Sequence, residues 1–184
     1  MSRRTSALAA ALSLLPLGQP LPLGQPLLLG STTALATGAV LLSTQAADAQ
    51  SATVFFKRGY AKFNKGDYQG AIADYNKAIA INPRNANSYS NRGAAKRNLG
   101  DYQGAIADYN KAITIDPQHA YSYNNRGITK KDLGDYQGAI ADYNQAIAIN
   151  PQYAAAYINR ALLKGRRRKD YQGMCLDFKK ASSF

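Results

Sequence analysis

The sequence predicts an all-α fold, an α-solenoid of helix-turn-helix units. Three observations predict it. Pro83, Pro117 and Pro151 stand 34 residues apart. The string GDYQGAIADYN begins at Gly66, Gly100 and Gly134, at the same spacing. Within each copy the apolar residues keep a helical rhythm. Ile72, Tyr75, Ala78 and Ile79 fall at i, i+3, i+6 and i+7, on one face of a helix. A period of this length suits one helix pair that buries its apolar face against its neighbours.

Residues 1–49 differ from the rest. Their only charges are Arg3, Arg4 and Asp48. The apolar run Ala7 to Leu15 has the length of an export-signal core, and Pro16 stops it. The hexamer PLGQPL then occurs twice, at 16–21 and 22–27; it carries no assigned function. A weakly apolar stretch runs from Leu27 to Leu42. Ala47-Asp48-Ala49 closes the segment with small residues where a signal peptidase needs them. The reading is a cleavable export signal over 1–49, cut after Ala49, with Ala34-Leu35-Ala36 as a second candidate cut. The competing reading is an uncleaved anchor, but Leu27 to Leu42 is 16 residues, short of the roughly 20 that span a bilayer. The arginine pair hints at twin-arginine export, although Thr5, Ser6 and Ala7 follow where that route prefers bulkier apolar residues. The expected address is periplasmic or otherwise extracytoplasmic, or the thylakoid lumen in a photosynthetic source.

The units follow in order: 52–85, 86–119, 120–153 and a degraded copy over 154–184. Each second helix has an Asp just before it (Asp67, Asp101, Asp135, Asp170), placed to accept backbone N–H groups as an N-cap. Asn-Pro or Asp-Pro at 82–83, 116–117 and 150–151 ends a unit, since the residue before proline avoids helical angles. Each first helix carries a related string: FFKRG at 55–59, YSNRG at 89–93, YNNRG at 123–127 and YINRA at 157–161. Gly59, Gly93 and Gly127 form one column, with Ala71, Ala105 and Ala139 opposite. Small residues in both columns let paired helices approach closely. The fourth copy, KDYQGMCLDFKKA from Lys169, is shifted by one residue and has Ala161 and Met174 in the small columns.

Arg58, Arg92, Arg126 and Arg160 are matched by Asp74, Asp108, Asp142 and Asp177. Aspartate is a poor helix-interior residue, so its repetition predicts a partner. Arg–Asp bridges between packed helices, possible as bidentate pairs, are the expectation.

Composition removes several functions. One Cys and one His cannot build a Cys/His zinc site, and one Cys cannot form an internal disulfide. All eleven acids are Asp, which leaves no Glu-based acid/base pair. No catalytic, cofactor-binding or metal-binding residue is assigned, and the chain is expected not to be an enzyme. His119 is expected exposed in a turn, and Cys175 is expected as a small core residue in the column of Ile72, Ile106 and Ile140. Lys+Arg number 23. Removing 1–49 takes away two arginines and one aspartate, leaving a net charge of +11 on 135 residues.

The period of 34, the Gly, Ala and Tyr columns (Tyr75, Tyr109, Tyr143) and the terminal prolines resemble the tetratricopeptide repeat, over residues 52–184. Two departures stand out. Phe55, Tyr89, Tyr123 or Tyr157 opens each first helix where the family has Trp, and Arg92 and Lys96 replace apolar residues. The resemblance implies a right-handed superhelix whose first helices line a concave groove for a protein segment or peptide. It carries the groove onto Thr53, Phe56, Tyr60 and Phe63, then Asn87, Ser90, Ala94 and Arg97. Tyr121, Asn124, Ile128 and Lys131 follow, then Ala155, Ile158, Leu162 and Gly165. Asn91, Asn125 and Asn159 stand where family members hold a ligand backbone; the plainer alternative is a bond to a neighbouring helix. Phe56, Tyr60 and Phe63 either anchor a ligand or pack inside the protein. Phe56 and Tyr60 also stand where a carboxylate clamp for chaperone tails needs Lys and Asn, so that clamp is not expected.

The function expected is an exported adaptor or assembly factor that binds a protein in this groove. A different expectation rests on Lys164, Arg166, Arg167, Arg168 and Lys169, with Lys179 and Lys180 behind them. This basic patch could attract a polyanion or an anionic membrane surface, or it could simply solvate the end of the array. Nucleic acid is disfavoured, because no aromatics interleave with these charges. The last helix, with Met174, Cys175 and Phe178, could pair with another chain, as a homo-oligomer or in a partner complex.

Overall fold

The computed structural model describes residues 51–165 and 170–184. The expected export signal and Arg166 to Lys169 lie outside these residues. All regular structure among the described residues is helical, in eight helices: α1 (51–64), α2 (Tyr68–Ile81), α3 (Ala86–Asn98), α4 (Tyr102–Ile115), α5 (Ala120–Asp132), α6 (Tyr136–Ile149), α7 (Ala154–Leu163) and α8 (Tyr171–Ala181). Consecutive helices pack together, and the odd helices α3, α5 and α7 also touch in series. Among the described residues no even helix touches another. The odd helices therefore form the inner row of an α-solenoid.

The helix boundaries follow from local chemistry. Asp67, Asp101, Asp135 and Asp170 each accept the backbone N–H three residues on, which satisfies a donor that the first turn cannot pair internally. Gly66, Gly100 and Gly134 precede these caps at φ of 80°, 82° and 85°, a backbone region that a Cβ makes costly. Before each proline, Asn82, Asp116 and Asn150 accept a backbone N–H two residues on, closing the turn between units.

The core is small and periodic. Tyr75, Tyr109 and Tyr143 are fully buried, together with Ala71, Ala105 and Ala139. A Cβ on Gly127 would stand 2.7 Å from Cε1 of Tyr143 and 3.1 Å from the Ala139 carbonyl oxygen. Gly59 and Gly93 face Tyr75 and Tyr109 in the same way. The glycine column is thus a window through which the tyrosine of the even helix lies against the odd helix. Burying each ring contributes roughly 2 kcal/mol.

A widened, π-type turn at Lys164 and Gly165 follows α7, and the extra residue of the fourth unit falls between Lys164 and Asp170. Ala161 is fully buried there, Met174 is half-buried, and α7 still packs on α8.

Candidate protein-binding groove

Four braces, one in each unit, lock an odd helix to its even partner. Arg92 donates from Nε and Nη2 to both oxygens of Asp108 at 2.9 and 2.5 Å. Arg126 does the same to Asp142 at 2.9 and 2.7 Å, and Arg160 to Asp177 at 2.9 and 2.6 Å. Arg58 grips Asp74 in the same bidentate form. Lys62, Lys96, Lys130 and Lys164 add a second cation to each carboxylate at 2.9 to 3.0 Å. The aromatic ring that opens each odd helix covers the guanidinium, with Phe55, Tyr89, Tyr123 and Tyr157 at 5.0 to 5.4 Å. The Arg hydrogen bond, with Lys62 beside it, holds the Asp74 carboxyl down at about 2. Burial pushes Asp177 up, but Arg160 and Lys164 outweigh it and the net direction is down. The arginines are therefore committed to structure.

Sequence reasoning missed two of these columns. One is the lysine four residues after each arginine. The other is Asn76, Asn110 and Asn144, which accept from Nη1 of Arg92, Arg126 and Arg160 at 2.7, 2.6 and 2.6 Å. The signal was present, since Asn closes every copy of GDYQGAIADYN.

The predicted groove residues separate into three groups. Tyr60 and Tyr121 are exposed, at 51% and 41%. Phe56, Phe63, Asn91, Arg97, Ile128, Lys131 and Asn159 are half-buried. Asn124 and Asn125 are buried. The three residues of the first-unit aromatic set do not act together. Phe56 packs on Tyr75 at 5.8 Å and Phe63 on Tyr68 at 5.4 Å, within the core of their own unit, while Tyr60 stays outside. Asn91 bonds its own helix through Asn87 O, and Asn159 donates to Asn124 Oδ1, tying α7 to α5. Asn125 keeps a buried Nδ2 without a partner. Lys131 pairs with its neighbour Asp132 at 3.3 Å. Ile128 packs on the core around Tyr143.

Burial raises the Tyr75 phenol, with smaller electrostatic contributions from Tyr121 and Tyr60. Burial pushes Tyr153 up to about 12. Burial also raises Tyr109 and Tyr143, and the Arg97 guanidinium opposes the shift.

Two expectations need correction. His119 is half-buried rather than exposed. Its Nδ1 lies 2.7 Å from Ser122 Oγ and its Nε2 2.9 Å from Asn87 Oδ1, so it joins two units. Burial lowers its pKa, against a smaller opposing effect of Asp116. Cys175 is exposed, because among the described residues no further helix packs on α8 in the way that α3, α5 and α7 pack on α2, α4 and α6. In the basic patch, Lys164 is taken up by Asp177. Among the described residues no cluster of three or more metal-ligating side chains forms, and no helix is long and apolar enough to cross a membrane.

A sequence model described as TPR repeat matches residues 59–100, and one described as tetratricopeptide repeat matches 86–119 and 120–153. The chain belongs to the tetratricopeptide-repeat (TPR) family. Its structure is similar to the Arabidopsis OM64 TPR domain, at 30% identity over 64% of this chain and 98% of that one, with a TM-score of 0.62. It is also similar to the second TPR domain of human RPAP3 in complex with the HSP70 peptide SGPTIEEVD, at 27% identity over 65% and 98% of the two chains and a TM-score of 0.59. MamA shares the TPR fold at 24% identity, over 77% of this chain and 82% of that one, with a TM-score of 0.65. Comparison with curated proteins gives no significant match.

Proposed function

We propose that this TPR chain is an exported, non-catalytic scaffold that binds a segment of another protein along its odd helices, as an adaptor or assembly factor. One observation carries the reading. The inner row offers binding chemistry that the fold does not use, the exposed Tyr60 and Tyr121. Aromatic side chains supply contact area at low entropic cost. The similar RPAP3 TPR domain is in complex with an HSP70 peptide, which supports a peptide or protein segment as the class of ligand.

The test compares wild type with a Tyr60→Ala/Arg97→Ala/Tyr121→Ala variant in crosslinking pull-downs from the exported fraction. The variant keeps Phe56 and Phe63, which belong to the core. Loss of a wild-type partner at unchanged melting temperature supports the groove; identical partner sets refute it. Export is read separately, from a mature N-terminus at Gln50 in the extracytoplasmic fraction. A full-length chain confined to the cytoplasm would reject that part.

A further inference from the structure

Beside its apolar packing, every joint from the second unit onward repeats one hydrogen bond. The bond runs from the arginine of the incoming odd helix to an asparagine midway along the preceding even helix (Asn76, Asn110 or Asn144), at 2.6 to 2.7 Å in all three joints. The even helix therefore presents each following unit with an acceptor in a fixed place.

α8 breaks that rule. Lys179 stands in the column of Asn76, Asn110 and Asn144, aligned through the Asp177 brace. Ser182 replaces the isoleucine of Ile79, Ile113 and Ile147, and Cys175 that of Ile72, Ile106 and Ile140. Apolar surface is displaced rather than lost. Leu176, 61% exposed, occupies the column of Ala73, Ala107 and Ala141, and Phe178 is also exposed. A mainly apolar depression is lined by Leu176, Lys179, Lys180 and Ser183. Neither lysine forms an ion pair among the described residues. Lys180 rests over the Phe184 ring at 4.8 Å.

An odd helix of this chain would bring an arginine to the place where Lys179 stands. In a second molecule docking head to tail, that residue is Arg58 on α1. Two cations would meet where each internal joint has a donor and an acceptor, a like-charge contact that discriminates against the match. The apolar ridge and the two free ammonium groups fit the opposite charge. We propose that the outer face of α8 docks an amphipathic helix of a partner protein that carries a carboxylate opposite Lys179. Lys179 denies the same face to a second copy of this chain.

The probe is a helix-stabilised synthetic peptide with the sequence of residues 120–133, the odd helix that packs on α4. It is made in two forms, with Arg126 retained and with Arg126→Glu. Binding to the full chain is followed by fluorescence anisotropy. The Glu form is expected to bind at least tenfold more tightly than the Arg form, and Lys179→Glu is expected to reverse the order. Equal affinities, no binding of either form, or a preference that Lys179→Glu leaves unmoved would overturn the proposal. So would wild-type self-association in sedimentation equilibrium that Val54→Asp on α1 dissolves, because the occupant would then be a second copy.

Discussion

Tyr143 buries a hydroxyl that finds no hydrogen-bond partner in the helix pair. Such a group costs free energy that a hydrogen atom in its place does not. Tyr143→Phe is therefore expected to leave stability unchanged or raise it by up to about 1 kcal/mol in denaturant unfolding. The glycine facing that ring behaves oppositely. Gly127→Ala drives a Cβ against Tyr143 and the Ala139 carbonyl, and overpacking of this kind costs roughly 1–3 kcal/mol. Acid sensitivity belongs to the same scale. The Asp74 carboxyl is held at about 2, below its ordinary value of 3.8. The stability this provides is present above about pH 4 and is lost as pH falls through about 2. Asp74→Asn should lower the melting temperature at neutral pH and make its fall over that window smaller than in wild type, the remainder coming from carboxylates such as Asp177.

At the scale of the helix pair, Arg92, Arg126 and Arg160 each hold two even helices at once. Arg126 grips Asp142 in its own unit and Asn110 in the unit before. Arg126→Met leaves a buried carboxylate with Lys130 as its remaining partner, and a loss of roughly 2–4 kcal/mol in thermal or denaturant unfolding is expected. Asn110→Ala removes the inter-unit bond alone and should cost about 1 kcal/mol. It should also broaden the transition, because neighbouring units are coupled through their interface. The caps, pair boundaries and Arg–Asp bridges were legible in the sequence because each repeats at the period of the fold. The Asn and Lys arms of the brace were legible in principle, yet both residue types read as ordinary surface positions until the guanidinium geometry joined them. His119 and Cys175 were misread for one reason. Their surroundings come from neighbouring units, and column position does not say whether a neighbour is there.

For the molecule as a whole, the inner row of odd helices is where the fold leaves chemistry unspent. The site residues were legible as a face, since the repeat fixes which side of each odd helix turns inward. They were not legible as a site. Side-chain size decides which members stay outside, so Phe56 and Phe63 sink into the core while Tyr60 does not. Asn124 and Asn159 spend their bond on each other. The measurement that tests the groove most directly is site-specific photocrosslinking. A photoreactive residue replaces Tyr60, Arg97 or Tyr121 on odd helices, or the exposed Ala73, Ala107 or Ala141 on even helices. A partner captured from the three inner positions and absent from the three outer ones is the predicted result. Capture of the same partner from the outer positions, with none from the inner row, would contradict the account.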